Sequence, residues 1–171
     1  KGCSFALKKI GILMCISAVS IIILLVLDNF VSKIYVSRYF KLGYVNNVSL
    51  VRQSDNEIVL ATDNYSTIQV VSEEIPKKYK NLSREDLFYF LERDFEEKNK
   101  NYHLINYDEI VLGRQNYSCN QYLYEKDGYQ TLFLILIAKG YVIKMNYCAS
   151  NQYFDFELEE FYRIVNNIEV I

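Results

Sequence analysis

The sequence predicts an α+β domain, an antiparallel β-sheet with flanking helices, that follows one N-terminal transmembrane helix. Three observations support this fold class. An uncharged apolar run fills residues 10–27, short alternating runs separated by turn residues dominate the remainder, and two stretches place apolar residues at helical spacing. With 171 residues, 51% of them hydrophobic, the chain is long enough for one ordinary domain and an appendage.

The uncharged run at 10–27 predicts a membrane anchor. As a helix its 18 residues span about 27 Å, close to the ~30 Å hydrocarbon core of a bilayer. A core helix of a domain this small would show a polar face, and this run shows none. A cleaved signal peptide fits poorly, because the run is long and no small-x-small site follows it. The anchor residues that we single out are Ile10, Leu13, Ile16, Ile21, Leu24 and Leu27.

The basic residues around the anchor predict its orientation. Lys8 and Lys9 lie in the short N-terminal segment 1–9, which places that end in the cytoplasm and the C-terminal domain outside it. Residues 28–43 form a juxtamembrane stalk in this interpretation. Phe30 and Ile34 at helical spacing favour a helical continuation of the anchor, while an irregular tether remains equally open. The domain itself is predicted to cover residues 44–171.

The first half of this domain predicts three strands and a helix. "VSLV", "EIVLAT" and "STIQVVS" are β-branched runs separated by turn residues. Ser83 is a favourable N-cap, with Asp86 three residues later, and the helix that follows is expected to end near Lys100. Its apolar face consists of Leu87, Phe88, Leu91 and Phe95.

The second half predicts an antiparallel meander closed by a second helix. Strands at 102–113, 117–125, 129–138 and 141–149 are separated by "KDG" and "KG" turns, and the most apolar strand, 129–138, is expected in the interior. Phe154, Leu158, Phe161 and Val165 then recur at helical spacing. The closing "IEVI" predicts one more edge strand.

This order of elements resembles a known family. "YSTIQVVSEEI", "LSREDLFYFLERDFEEK", "YEKDGYQTLFLILIAKGYVIKMNYCAS" and "FYRIVNNIEVI" look like the PsbP-like fold, over about residues 44–171. Photosystem extrinsic subunits and many bacterial surface lipoproteins share that fold. The resemblance implies an antiparallel sheet flanked by helices and a role as an accessory or binding module, and it carries over no catalytic residue.

The residues themselves indicate no enzyme, cofactor or metal site. His103 is the sole histidine, and the sequence has no nucleophile elbow, phosphate loop, H-E-x-x-H or C-x-x-C pattern. Adjacent carboxylates such as Asp108 and Glu109 diverge along a strand, so solvated faces explain them better than acid–base chemistry. From Asp28 onward 21 acidic residues face 16 basic ones, which argues against a nucleic-acid partner.

Two groups of side chains in the predicted domain remain open. Cys119 and Cys148 would share an oxidising compartment, but the strand pattern puts them two strands apart, so the sequence does not decide between a disulfide and free thiols. Tyrosines crowd the meander and form a possible interaction surface, although some could instead cover the sheet beneath a helix. The candidates are Tyr117, Tyr122, Tyr124 and Tyr129.

Together these observations predict a non-catalytic, single-pass membrane protein. Its partners would be the membrane and a protein within a larger membrane or surface assembly, on which it docks as an accessory subunit. The alternative is an extracytoplasmic module that binds a small ligand or a metal ion. That alternative requires a pocket between helix and sheet, which a sequence pattern cannot reveal.

Overall fold

The structure is a computed structural model that describes residues 33–45 and 47–171. It contains two antiparallel sheets and two α-helices. The larger sheet has seven strands: β3 (Ser49–Gln53), β4 (Glu57–Ala61), β5 (Thr67–Glu74), β6 (His103–Leu112), β7 (Tyr117–Lys126), β8 (Tyr129–Ala138) and β9 (Tyr141–Ser150). The smaller sheet has three: β1 (Lys33–Val36), β2 (Phe40–Tyr44) and β10 (Ile168–Val170).

The strand order in the larger sheet is β3-β4-β5-β9-β8-β7-β6, and every neighbouring pair is antiparallel. The predicted meander is therefore confirmed as the run β6 to β9. The β7–β8 and β8–β9 turns have two residues each, Asp127–Gly128 and Lys139–Gly140, and all four of these residues have positive φ. That geometry matches the type I′ hairpin, which a right-twisted antiparallel pair prefers.

The first helix, α1 (Arg84–Lys98), begins where the sequence predicts. Ser83 is its N-cap, and the Ser83 Oγ accepts a hydrogen bond from the Asp86 backbone N–H at 3.0 Å. Only Leu87 and Phe88 are buried along its 15 residues. The second helix, α2 (Phe154–Val165), buries five side chains, among them Phe161 and Val165. The two helices therefore contribute very unequally to the core.

The larger sheet separates two hydrophobic clusters. Leu132, Leu134 and Leu136 of β8 belong to a large cluster with α2 and the smaller sheet. Phe133 and Ile135 alternate with them and belong to a smaller cluster with α1. Because successive side chains of a strand point to opposite faces, the helices cover opposite faces of the sheet. The expectation of flanking helices is confirmed, and β8 is an interior strand beside the central β9.

The predicted stalk differs from the structure between residues 33 and 43. This segment forms β1 and part of β2 instead of a helix or an irregular tether, and β2 pairs with β10 through Leu42 and Ile168. The physical reason is a period of two that the helical interpretation overlooked. Phe40, Leu42 and Tyr44 occupy every second position of β2 and are all buried, and Tyr35 is buried beside them. The folded domain thus includes residues that we had assigned to the stalk.

The membrane anchor predicted for residues 10–27 lies outside the described residues, as do its six singled-out side chains and the segments 1–9 and 28–32. Within residues 33–45 and 47–171, no helix has the length and apolar character to cross a membrane. The predicted anchor and its orientation remain predictions.

Candidate interaction surface beside the first helix

Helix α1 lies over β7 and β8 and leaves a cleft on each side. The cleft beside β6 and β7, called the front cleft here, has a volume of about 270 Å³. The cleft beside β8, β9 and β5, called the rear cleft, has a volume of about 380 Å³. The sheet residues directly beneath α1, such as Tyr122 and Phe133, are buried, and the two clefts lie on either side of them.

The front cleft combines aromatic walls with carboxylates. Its helix side consists of Arg84, Glu85, Phe88, Tyr89 and Glu92. Its sheet side consists of Tyr107, Glu109, Asn120 and Tyr122. These positions follow from local geometry: residues three and four apart share a helix face, and Tyr107 of β6 stands opposite Tyr122 of β7.

The aromatic residues form both the floor and the rim of the front cleft. Tyr122 is buried, and the ring centroid of Tyr107 lies 5.1 Å from that of Tyr122. Tyr89 and Tyr107 are 56% and 52% exposed, so their rings stand at the rim. Burial raises the pKa of Tyr122 to about 12, opposed by a hydrogen bond from the Asn120 side-chain amide. The Tyr122 hydroxyl is therefore protonated at physiological pH.

Glu92 lies on the helix side of the front cleft and is partly buried there. Burial raises its pKa above 4.5, the nearby Glu96 raises it further, and a hydrogen bond with Tyr122 acts in the opposite direction. No ion pair among the described residues includes Glu85, Glu92 or Glu109. These three carboxylates therefore form no salt bridge with a lysine or arginine side chain of the described residues.

Arg84, the single basic residue of the cleft wall, is held by other groups. Its guanidinium donates to the backbone carbonyl of Ser118 at 2.6 Å and lies 5.3 Å from the ring centroid of Phe88. Glu109 accepts a hydrogen bond from the Ser118 hydroxyl. One cation against three carboxylates leaves the front cleft net negative.

The edge of the larger sheet adjoins the front cleft. Strand β6 runs for ten residues and pairs only with β7, so its other edge is open in the described structure. Three large apolar side chains on it are exposed, namely Ile105, Tyr107 and Val111. An open strand edge of this length is a template for pairing with another extended segment.

Of the four tyrosines predicted to form an interaction surface, two are buried and two are at least partly exposed. Tyr122 and Tyr124 are buried under α1, where Tyr124 packs against Phe95 with ring centroids 4.8 Å apart. They cover the sheet and are not open to a partner in this conformation. Tyr117 is half-buried against the large cluster, and Tyr129 is 54% exposed. The exposed aromatic residues at the cleft, Tyr89 and Tyr107, were not singled out by the sequence.

The two cysteines of the domain are unbonded. Cys119 stands opposite Leu136 of β8, whereas Cys148 stands opposite Thr131 of the same strand. These two positions on β8 are an odd number of residues apart, so the thiols lie on opposite faces of the sheet. That separation exceeds the reach of a disulfide.

Other polar groups of the domain lie outside the two clefts. His103 lies exposed at the start of β6. Glu157 of α2 is buried and accepts hydrogen bonds from Thr62 at 2.9 Å and Asn64 at 2.7 Å, which fixes the β4–β5 loop. Within residues 33–45 and 47–171, no group of three or more His, Cys, Asp and Glu side chains is placed to hold a metal ion.

Comparison with solved structures identifies the fold. Cyanobacterial PsbP (CyanoP) from Synechocystis superposes with a TM-score of 0.59 and 14% identity, covering 82% of this chain and 92% of that one. A Pseudomonas aeruginosa protein of unknown function superposes with a TM-score of 0.50 and 9% identity, covering 77% and 92%. No family model and no curated protein matches the sequence. The likeness establishes a PsbP-like fold, as the sequence predicted.

Proposed function

We propose that this chain, a domain of PsbP-like fold, is a non-catalytic accessory module held on a membrane by residues 10–27. It docks on a larger membrane or surface assembly through the front cleft and the adjoining edge of β6. The PsbP-like resemblance implies an accessory or binding role, and the uncharged apolar run implies the anchor.

The observation that carries this proposal is the negative charge of the front cleft next to exposed aromatic rings. Glu85, Glu92 and Glu109 have no cationic side chain bound to them, and Tyr89 and Tyr107 stand at the rim. An ammonium or guanidinium group is attracted both by carboxylates and by aromatic faces. The partner therefore presents a lysine or arginine side chain to this cleft.

The open edge of β6 gives the partner a second means of attachment. An extended segment can add to such an edge through main-chain hydrogen bonds, while its side chains contact neighbouring pockets. The exposed side chains of Ile105 and Val111 would be covered in the same step. Main-chain pairing supplies affinity, and the basic side chain in the cleft supplies specificity.

The proposal is tested by photocrosslinking of the full chain in its native membrane. A photoreactive phenylalanine analogue replaces Tyr107 at the rim of the front cleft. A matched variant carries it at Phe156 of α2, which is 78% exposed on the opposite face of the sheet. We expect one specific crosslinked product from position 107 and none at comparable yield from position 156.

A charge reversal sharpens the test. The substitution Glu109→Lys places a cation at the wall of the front cleft, and we expect it to abolish most of the crosslinked product at position 107. A lone monomer that crosslinks from neither position would overturn the docking proposal. A product that persists in the Glu109→Lys variant would overturn the assignment of a basic partner group.

A further inference from the structure

Two residues that line the rear cleft carry buried polar atoms that have no hydrogen-bond partner within the described structure. Its helix side is formed by the C-terminal half of α1, including Leu91 and Phe95, together with Tyr102. Its sheet side is formed by residues of β5, β8 and β9, including Thr131 and Asn146. The front and rear clefts lie on different sides of α1, so this site is separate from the proposed docking surface.

A chain of hydrogen bonds leads across the sheet to Asn146. Arg52 donates to Glu57 at 2.6 Å, and Gln69 donates to the same carboxylate oxygen at 2.7 Å. The Asn146 side-chain amide then donates to the Gln69 carbonyl at 3.2 Å. This network fixes the orientation of the Asn146 amide, and its Oδ1 is buried without a hydrogen-bond partner.

Thr131, another residue that lines the rear cleft, carries a second buried polar atom without a hydrogen-bond partner. Its side chain lines the rear cleft, only 7% of the residue is exposed, and its Oγ1 has no hydrogen-bond partner. Thr131 stands opposite Cys148, two residues along β9 from Asn146. Such diagonal neighbours are roughly 7 Å apart, so one small molecule can reach both groups.

The remaining wall is apolar, and the charges at its rim are neutralised. Phe95 stacks on Phe133 with ring centroids 4.2 Å apart and forms an aromatic wall with Tyr102. Lys98 pairs with Asp94 at 2.7 Å, and Lys144 pairs with Glu73. A ligand with a net charge gains little in such surroundings, whereas a neutral one with an apolar face fits.

We infer that the rear cleft binds a small neutral molecule that carries amide and hydroxyl groups on one side and an apolar face on the other. Its N–H or O–H donates to Asn146 Oδ1, a hydroxyl exchanges a hydrogen bond with Thr131 Oγ1, and its apolar face packs on Phe95 and Tyr102. An N-acetylated sugar has this combination of groups. The inference does not depend on the docking role of the front cleft.

The test uses N-acetylglucosamine as the probe with the isotope-labelled full chain in a detergent that contains no sugar. We expect saturable NMR shift changes at Thr131 and Asn146, with a dissociation constant on the order of 1 mM. Glucosamine, which is cationic, and acetate, which is anionic, are expected to bind at least roughly tenfold more weakly.

Two variants separate binding from folding. Thr131→Val keeps the side-chain shape and removes an unpartnered hydroxyl, so the melting temperature should stay equal or rise while probe affinity falls roughly fivefold. Glu92→Gln in the front cleft should leave probe affinity unchanged. Shift changes that do not saturate, that map outside the rear cleft, or that are equally strong in Thr131→Val would overturn the inference. None of these results depends on the crosslinking at Tyr107.

Discussion

The two faces of the larger sheet differ in how completely they are closed. On one face, α2 and the smaller sheet bury a continuous cluster in which Phe161, Leu134 and Met145 have no exposed surface. On the other, α1 buries two side chains and leaves a cleft on each side. The closed face holds most of the buried apolar side chains, and both proposed binding sites lie on the half-open face, where packing beside the helix is incomplete.

The largest effect should come from the closed face. Phe161→Ala removes a ring that is fully buried and lies 5.3 Å from the ring centroid of Tyr147. We expect a loss of about 4 kcal/mol in unfolding free energy, because the surrounding residues cannot collapse into the space. Unfolding followed by near-ultraviolet circular dichroism measures it. A loss below about 1 kcal/mol would show that this cluster is not the stabilising core.

The matched substitution on the half-open face, Phe88→Ala, should cost less, about 2 kcal/mol, because water can enter a space that adjoins the front cleft. Phe88 and Phe161 are the same residue type on the two helices, so the pair compares the faces directly. Equal losses in the two variants would contradict the difference that we draw between them.

The N-cap of α1 should affect one helix alone. Ser83→Ala removes the acceptor for the Asp86 backbone N–H and should cost about 1 kcal/mol. Hydrogen exchange should accelerate for amides of α1 and remain unchanged for those of α2. Acceleration in both helices would mean that α1 and α2 unfold as one unit, and the two faces would then not be independent.

The smallest effect concerns pH. The folded-state pKa of Glu92 is raised above 4.5, so between 4.5 and that raised pKa the folded protein retains a proton that the unfolded chain has released. Stability is therefore lost as the pH rises through the raised pKa. Glu92→Gln removes this proton linkage and should flatten the dependence of melting temperature on pH between 4.5 and the raised pKa of Glu92. Parallel curves for the two proteins would contradict the assignment.

The sequence predicted correctly those turns and helix ends that depend on only a few consecutive residues. The Asp127–Gly128 and Lys139–Gly140 turns and the Ser83 cap follow from conformational preferences of a few consecutive residues, and each was confirmed. The smaller sheet was missed because the period of two in β2 was overlooked in favour of helical spacing. Its pairing with β10, which comes from the opposite end of the described chain, has no local pattern that identifies the partner strand.

The two clefts could not be predicted from the sequence, because their positions depend on how the helix lies on the sheet. Helical spacing predicted the apolar face of α1, but whether the neighbouring side with Glu92 meets solvent or a sheet depends on where the helix lies. Tyr107 and Tyr122 are likewise opposed only through the register of β6 and β7. Parity along a strand identifies side chains that share a face and does not identify which face a helix covers.

The pairing of β2 with β10 also sets when this domain can fold during synthesis. Ile168 and Val170 are buried against residues that leave the ribosome far earlier, and the Ile171 N–H donates to the Tyr39 carbonyl at 2.9 Å. Until that C-terminal strand emerges, the β1–β2 hairpin has an open edge and apolar side chains without their cover. A nascent chain can therefore complete this domain only after translation has passed Val170, and until then the edge of β2 that pairs with β10 stays exposed.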